Sequence, residues 1–279
     1  MKPIFRFFSA LMFLTMACVV PGLSTDAPQS APTPDTRLES MVALTVSAAL
    51  EMTQQAVPTE PPLPTATIEP TATPTLQPDS SGSSLAKNED GTFTFIDGLG
   101  KYQFSISSEL IPLRINQQEY LEAWLLPEAS NPVVQRYLDS LQKQDPSRVR
   151  LYILDFDEER MASGFINNIN VLWEENEDFS LEDETDIVEL ANSYPEMLSG
   201  SEVLTTEITN LENGIRIGVI TSNASVTTLE NVDVVLFQKQ IVIDLSVGTL
   251  ALTLSTDEKW QNTIEPLFDE ILETITLID

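Results

Sequence analysis

The chain has 279 residues with 43 Asp or Glu, 14 Lys or Arg and no His, which gives a formal net charge of −29. This charge argues against nucleic-acid binding, because phosphate neutralisation needs clustered Lys and Arg, and it disfavours contact with anionic lipid headgroups. The lack of His excludes Ser-His-Asp triads and most zinc sites, and the single Cys excludes an intrachain disulfide. The sequence therefore predicts a protein that is not an enzyme and has no cofactor, while carboxylate-only hydrolysis stays open.

The N-terminus has the pattern of an export signal. Lys2 and Arg6 precede an apolar run from Phe7 to Val20, which is too short for a typical membrane-spanning helix. The lone Cys18 follows Ala17 near the end of this run, and the pair resembles the end of a bacterial lipobox. The pattern predicts a signal peptide that ends at residue 18.

Lipidation of Cys18 is the next expectation. A lipidated cysteine carries enough acyl chains for stable anchoring, so the sequence predicts a lipoprotein on the extracytoplasmic face of the cell membrane. The alternatives are a secretory signal that is cleaved elsewhere, which would make the protein secreted or periplasmic, and an uncleaved anchor. In both alternatives Cys18 is an ordinary small apolar residue.

Residues 19–84 predict a low-complexity stalk. The stretch 58–84 is dominated by Pro and Thr, and its apolar content is too low to offset the entropy of ordering, so we expect disorder with extended polyproline II character. This stretch resembles the Pro-Thr spacers of bacterial surface lipoproteins, and its Ser and Thr could accept O-linked sugars. Residues 38–57 lack Pro and Gly and predict a short helix, either for self-association or as a weak linker.

Residues 85–279 have the patterning of one globular domain, which opens with a hairpin. Thr92–Phe95 and Tyr102–Ile106 alternate in hydrophobicity on either side of Asp97–Gly100, where a short loop is expected. Four further alternating runs predict strands, around residues 149–153, 169–173, 203–208 and 215–219.

The last strands are predicted to form a meander. Residues 232–247 are strongly β-prone, but the apolar parity shifts at Gln238–Gln240, which predicts a bulge or turn there. Ser246–Thr249 should then turn the chain into a final strand at 250–254.

Caps and apolar spacing predict three helices. Asn131 and Pro132 form a cap and first-turn pair, followed by inward positions at Val134, Tyr137 or Leu138, and Leu141. Ser180–Asp183 should start the second helix and Pro195 should end or bend it, with inward residues Leu181, Val188, Ala191 and Leu198. Ser255–Glu258 matches a capping box for the last helix, which Pro266 should break or kink; its inward stripe is Trp260, Ile264, Leu267, Ile271 and Ile275.

This order of elements predicts an α+β fold, with an antiparallel β-sheet flanked by helices. The domain resembles the PsbP family over residues 91–278. The residues that carry the resemblance are the aromatic hairpin positions, a Ser-Leu pair that introduces the middle helix, and a late Pro-x-Phe, here Phe93, Phe95, Tyr102, Phe104, Ser180-Leu181 and Pro266-Leu267-Phe268. The resemblance implies an α/β/α sandwich and a binding or assembly role without catalysis.

Two acidic runs are candidate sites for a weakly bound divalent cation such as calcium. The first resembles the start of a calcium loop but lacks its Gly and closing Glu; its candidate ligands are Asp155, Asp157 and Glu159. The second run spans 174–186, and its candidate ligands are Glu175, Glu177 and Asp178. Crowded carboxylates could also attract a basic partner, and the alternative for both runs is a solvated loop.

Together these features predict a membrane-anchored binding or accessory lipoprotein that contacts a protein, a wall polymer or a small ligand. The first alternative is an extracytoplasmic carboxylate-dependent hydrolase. It calls for a cleft in which two Asp or Glu side chains converge with separated pKa values. A structural spacer protein is the second alternative, and it calls for a surface without a pocket or a concentrated patch.

Overall fold

The computed structural model describes residues 82–175, 179–198, 200–228 and 230–278, apart from the side chain of Met197. The predicted signal peptide, Cys18, residues 19–81 of the predicted stalk and the helical segment 38–57 lie outside these residues, as do Glu177 and Asp178. Within the described ranges no helix combines the length and apolar character that a membrane crossing needs.

The described strands form two antiparallel sheets. Their bounds are β1 Ser83–Lys87, β2 Phe93–Asp97, β3 Tyr102–Ile106, β4 Ile111–Leu113, β5 Val149–Leu154, β6 Asn168–Glu174, β7 Ser201–Asn210, β8 Arg216–Thr227, β9 Asp233–Leu245, β10 Gly248–Asp257 and β11 Thr276–Leu277. The smaller sheet has the order β1-β2-β3-β11, and the seven-stranded sheet has the order β4-β5-β6-β10-β9-β8-β7. Strand β1 begins two residues before the predicted domain boundary at 85.

Four α-helices accompany the sheets in the described ranges. They are α1 Gln118–Ala123, α2 Pro132–Leu141, α3 Thr185–Met197 and α4 Gln261–Thr274, with short 3-10 helices at Pro127–Ser130 and Glu258–Trp260. Helix α2 begins as predicted, because the Asn131 side chain accepts a 2.9 Å hydrogen bond from the Val133 amide and Pro132 occupies the first turn.

The helices lie on both faces of the seven-stranded sheet. In β9, Val242 belongs to a hydrophobic cluster that includes buried residues of α1, α2 and α3. Its neighbours Ile241 and Ile243 belong to a second cluster, which includes α4 and the smaller sheet. Since successive strand residues point to opposite faces, the seven-stranded sheet is the middle layer. The predicted α+β class, with an antiparallel sheet flanked by helices, is confirmed.

The second and last helices differ from their predictions. Helix α3 starts at Thr185, after turns in which the Ser180 and Asp183 side chains accept backbone N–H groups. This start makes Val188 40% exposed, which corrects its inward assignment, and directs Ile187, Leu190, Ala191 and Tyr194 to the core. Helices α3 and α4 contain Pro195 and Pro266, so neither proline ends its helix; the predicted alternative, a bend or kink at each proline, stays a prediction. A proline removes one helical hydrogen bond, and we attribute the continuity of both helices to their buried faces.

The predicted bulge in β9 is also wrong. The strand runs unbroken from Asp233 to Leu245 and keeps one register with β8 and with β10. The parity shift that suggested a bulge arises because Gln238 and Gln240 are polar but buried, at 2% and 0% exposure. Buried polar side chains follow the pleat like apolar ones when they have hydrogen-bond partners.

A buried ion pair joins the two sheets. Arg150 donates from Nε to Asp97 Oδ2 at 2.6 Å and from Nη2 to Asp97 Oδ1 at 3.2 Å, and both side chains are 3% exposed or less. The β5–β6 register shifts between Val149 and Leu151, which marks a bulge at Arg150. Asp97 also accepts the Leu99 amide, at 3.0 Å, and the Tyr102 hydroxyl, at 3.2 Å.

A second arginine holds the first strand. Arg114, which directly follows β4, donates from Nη1 to the carbonyl oxygen of Ser83 at 2.8 Å. Its Nη2 donates to Glu119 Oε1 of α1 at 2.6 Å. Arg114 is 8% exposed, so a buried side chain links β1 to the seven-stranded sheet, while the ladder with β2 holds β1 in the smaller sheet.

Candidate functional site

The first acidic run forms a closed hydrogen-bonded loop. Asp155 is 1% exposed, and Arg160 donates to its two carboxylate oxygens at 2.6 and 2.8 Å. The Asn167 side chain donates to Asp155 Oδ2 at 3.0 Å, and the Asp157 amide donates to Oδ1 at 3.1 Å. The hydrogen bonds to Asp155 raise the pKa of Arg160 further above its usual value. Asp155 thus already accepts four hydrogen bonds.

The other candidate cation ligands do not gather around Asp155. Asp157, Glu159 and Glu175 are exposed. In the part of the chain that the structure describes, no group of three or more Cys, Asp or Glu side chains is placed to hold a metal ion. Glu177 and Asp178 lie outside that part, so a cation site that includes them stays a prediction.

The second acidic run has local side-chain partners at three of its six described acidic residues. Glu174 pairs with Arg148 at 2.8 Å, Asp183 accepts the Thr185 amide at 2.8 Å, and Asp186 accepts the Ser180 amide at 2.9 Å. Asp183 therefore precedes the first turn of α3 instead of lying inside it. The contacts of Asp183 and Asp186 fix the turns that precede α3, and the Arg148 pair neutralises Glu174, so these acids have a structural role.

A groove that sequence reasoning missed has a concentrated acidic rim. It has a volume of about 370 Å³ and is lined by residues of β7, β8, β9 and α4. Its floor is apolar and consists of Ile217, Val219, Ile241 and Leu272. Its acidic lining residues are Glu207, Glu212, Asp269 and Glu273. The apolar floor and the carboxylates together suit an amphipathic cationic ligand.

The basic side chain that lines this groove, Lys239, already pairs with two carboxylates. Lys239 Nζ lies 2.7 Å from Asp269 Oδ1 and 3.0 Å from Glu265 Oε1, and the lysine side chain is 17% exposed. Burial lowers the pKa of Lys239, but the hydrogen bonds and charges of the two carboxylates outweigh burial and raise the pKa above its ordinary value. Lys239 therefore stays charged and bound to α4, while the other three acids of the lining face an incoming ligand.

A second cleft brings together two carboxylates. It measures about 390 Å³, and its lining includes Glu182, Asp244 and Arg216. Burial is the main cause that raises the pKa of Asp244, and the nearby negative charge of Glu182 adds to it against a hydrogen bond from the Leu181 amide. Arg216 donates to the Glu182 carbonyl oxygen at 3.2 Å.

The groove could not be found from residue spacing, because its acids come from separate parts of the chain. Glu207 lies in β7, Glu212 in the following turn, and Asp269 and Glu273 one turn apart on α4. One signal was available in the sequence. Lys239 is the single charged residue between Val234 and Ile243 in the β-prone stretch, which marks a position that needs an acidic partner.

No protein-family model and no curated protein sequence matches the chain. Solved structures that match include cyanobacterial PsbP from Synechocystis sp. PCC 6803, at 16% identity and TM-score 0.42, covering 67% of this chain and 92% of that one. LpqN of Mycobacterium tuberculosis, described as involved in cell envelope biogenesis, has 11% identity, TM-score 0.39 and coverages of 71% and 91%. The Saccharomyces cerevisiae Ran-binding protein Mog1p has 12% identity, TM-score 0.37 and coverages of 71% and 96%. A PsbP protein is among the solved structures found, and the neighbours' activities are not carried over to this chain.

Proposed function

We propose that this chain is a membrane-anchored extracytoplasmic binding protein whose groove between α4 and strands β7 to β9 takes a cationic, amphipathic segment of a partner protein. The observation that carries the proposal is the combination of an apolar floor with four lining carboxylates, one of which already pairs with Lys239. Basic side chains of the segment would meet the rim, and its apolar side chains would cover Ile217, Val219, Ile241 and Leu272.

The charge of the whole chain acts in the same direction. A net charge of −29 produces a negative field that attracts basic segments and repels acidic ones before contact. Such a field raises association rates and weakens with added salt, whereas burial of the apolar floor depends little on salt. The proposal narrows the sequence-based expectation of a protein, wall polymer or small ligand to one class of ligand.

Removal of the rim charges tests the groove. The probe is a synthetic peptide of about twelve Lys and Leu residues with one apolar helical face, titrated into the full chain and followed by fluorescence anisotropy. We expect Glu207→Gln, Glu212→Gln and Glu273→Gln together to weaken binding at least about tenfold, which is ~1.4 kcal/mol. We also expect the native affinity to fall as salt rises from about 0.05 to 0.5 M.

The matched control changes the net charge equally, at sites away from the groove. Glu89, Glu189 and Glu196 are exposed and do not line the groove, so their joint replacement by Gln should weaken binding less than about threefold. If both triple variants lose the same affinity, the peptide responds to the acidic surface as a whole and the groove proposal fails.

The anchor has a test of its own. Full-length native protein expressed in a bacterium should partition with membranes and carry an added mass of acyl size. Cys18→Ser should lose both properties, because the thiol is the attachment point in the lipobox reading. A native protein that is soluble and unacylated would contradict the anchor while leaving the groove proposal intact.

The hydrolase alternative is favoured by one observation, the shared cleft of Glu182 and Asp244 with its raised Asp244 pKa. Two carboxylates of different acidity are the requirement of glycoside hydrolysis. Turnover of chromogenic aryl glycosides by the native chain, lost in Asp244→Asn, would favour a hydrolase over a binding protein. We place binding first because it uses the groove that carries the largest cluster of lining carboxylates among the described clefts.

A further inference from the structure

The face of the seven-stranded sheet that is covered by α1, α2 and α3 contains a band of uncharged polar side chains, hereafter the polar band. Each of its members is 3% exposed or less, and together they are Tyr152, Asn168, Asn170, Ser222, Gln238, Gln240, Thr253 and Ser255. They belong to β5, β6, β8, β9 and β10, so the band crosses five adjacent strands.

Strand register places these residues in two neighbouring rows. In the first row Tyr152 pairs with Asn170, Asn170 with Thr253, and Thr253 with Gln240. In the second row Asn168 pairs with Ser255, Ser255 with Gln238, and Gln238 with Ser222. Directly paired residues are close neighbours on one face of a sheet, so the polar groups form a continuous patch inside the core.

Part of the polar band is satisfied by direct hydrogen bonds. The side chain of Gln238 donates to Ser255 at 3.0 Å, and that of Gln240 donates to Thr253 at 3.3 Å. The Tyr194 hydroxyl of α3 donates to the side-chain oxygen Oε1 of Gln240, which ties the helix to the band.

Six buried polar atoms of the polar band have no hydrogen-bond partner among the described residues. They are both amide atoms of Asn170, the hydroxyl oxygens of Tyr152 and Ser222, Asn168 Oδ1 and Gln238 Oε1. Unmet donors and acceptors are rare in protein interiors, because each loses its hydrogen bond to water on burial. Six in one patch are an unusual concentration of unmet hydrogen-bonding groups within the described core.

We propose that the polar band holds small, uncharged, hydroxyl-bearing guests, either water molecules or one neutral polyol, between the sheet and its helices. The guest is uncharged because the band itself contains only amides and hydroxyls and offers no counter-ion. A hydroxyl group both donates and accepts, which suits a patch whose unmet atoms include the Asn170 amide nitrogen and several oxygens. This site is separate from the acidic groove, which lies on the opposite face of the sheet.

Removal of single hydroxyls tests the proposal by thermal melting of the full chain. Tyr152→Phe and Ser222→Ala delete one oxygen each with little change of shape. If guests bridge the polar band, each variant loses a hydrogen bond and its melting midpoint falls by about 2 to 4 °C. If the band is dry, each variant removes an unmet polar group and the midpoint stays level or rises, which overturns the proposal.

A calibration and a second measurement complete the test. Tyr194→Phe removes a direct buried hydrogen bond and gives the midpoint shift expected of a satisfied hydroxyl. Native mass spectrometry then distinguishes a polyol from water, because a bound polyol adds mass that is lost on denaturation. Water adds no such mass, but NMR should show magnetisation transfer from bound water to the Asn170 side-chain amide. A level midpoint in both hydroxyl variants, with neither added mass nor transfer, leaves the polar band empty.

Discussion

Arg150→Met is expected to lower the free energy of unfolding by about 3 to 5 kcal/mol, because it leaves Asp97 buried without its ionic partner. Asp97 is 0% exposed, and Arg150 supplies two of its hydrogen bonds, at 2.6 and 3.2 Å. The remaining donors are the Leu99 and Gly100 amides and the Tyr102 hydroxyl, none of which carries a positive charge. Chemical denaturation monitored by circular dichroism gives the free energy directly.

Arg148→Met is the matched control for this prediction. Arg148 lies two residues away and pairs with Glu174 at 2.8 Å, but its side chain is 29% exposed. Because solvent screens the Arg148–Glu174 pair, its loss should lower the free energy of unfolding by no more than about 1 kcal/mol. Similar losses in the two variants would mean that the Asp97–Arg150 pair contributes no more than a surface contact. The double variant Asp97→Asn with Arg150→Met should recover part of the loss, since no uncompensated charge remains.

Gly248→Ala is also expected to have a large effect. It should lower the free energy of unfolding by at least about 3 kcal/mol. Gly248 starts β10 after the turn from β9, with a φ of +137° that L-residues rarely adopt. A Cβ atom there would lie 2.2 Å from the backbone oxygen of Glu174 and 3.0 Å from the Cα of Glu175. Relief of this contact requires movement of the β6 backbone, so both the melting midpoint and the expression of soluble protein should fall.

Gly214→Ala separates the cost of backbone strain from the cost of the steric contact with Glu174. Gly214 also has a positive φ, +86°, but a Cβ added to it meets no atom within 4 Å. Gly214→Ala should therefore lower the free energy of unfolding only by the backbone strain, about 1 to 2 kcal/mol. If Gly248→Ala is no worse than Gly214→Ala, the close approach of Glu174 to Gly248 does not limit the turn.

Local features of the fold were predictable because their causes are local in sequence. Alternation at Tyr102–Ile106, the Asn131 cap and the Ser246–Thr249 turn all gave elements that the structure contains. The prediction failed where a tertiary contact overrode the local pattern. Gln238 and Gln240 suggest a break in β9 because polar residues in a strand usually face solvent, whereas here both are buried members of the polar band.

The candidate site was harder to predict than the fold. The acidic run from Asp155 suggested a cation site on residue type alone, and neither Asn167 nor Arg160 could be assigned to Asp155 without tertiary structure. The groove depends on the approach of α4 to β7, which are separated by 50 residues of chain. Charges that meet only in three dimensions leave no spacing pattern in the sequence.

The place of β1 has a mechanical consequence. A pulling force applied at residue 82 loads β1 first, and β1 is an edge strand of the smaller sheet. The elements that resist are its ladder with β2 and the hydrogen bond from Arg114 to Ser83. Because β1 must detach before strands of the seven-stranded sheet are pulled apart from this end, its short ladder and one arginine side chain set the force at which unfolding from residue 82 begins.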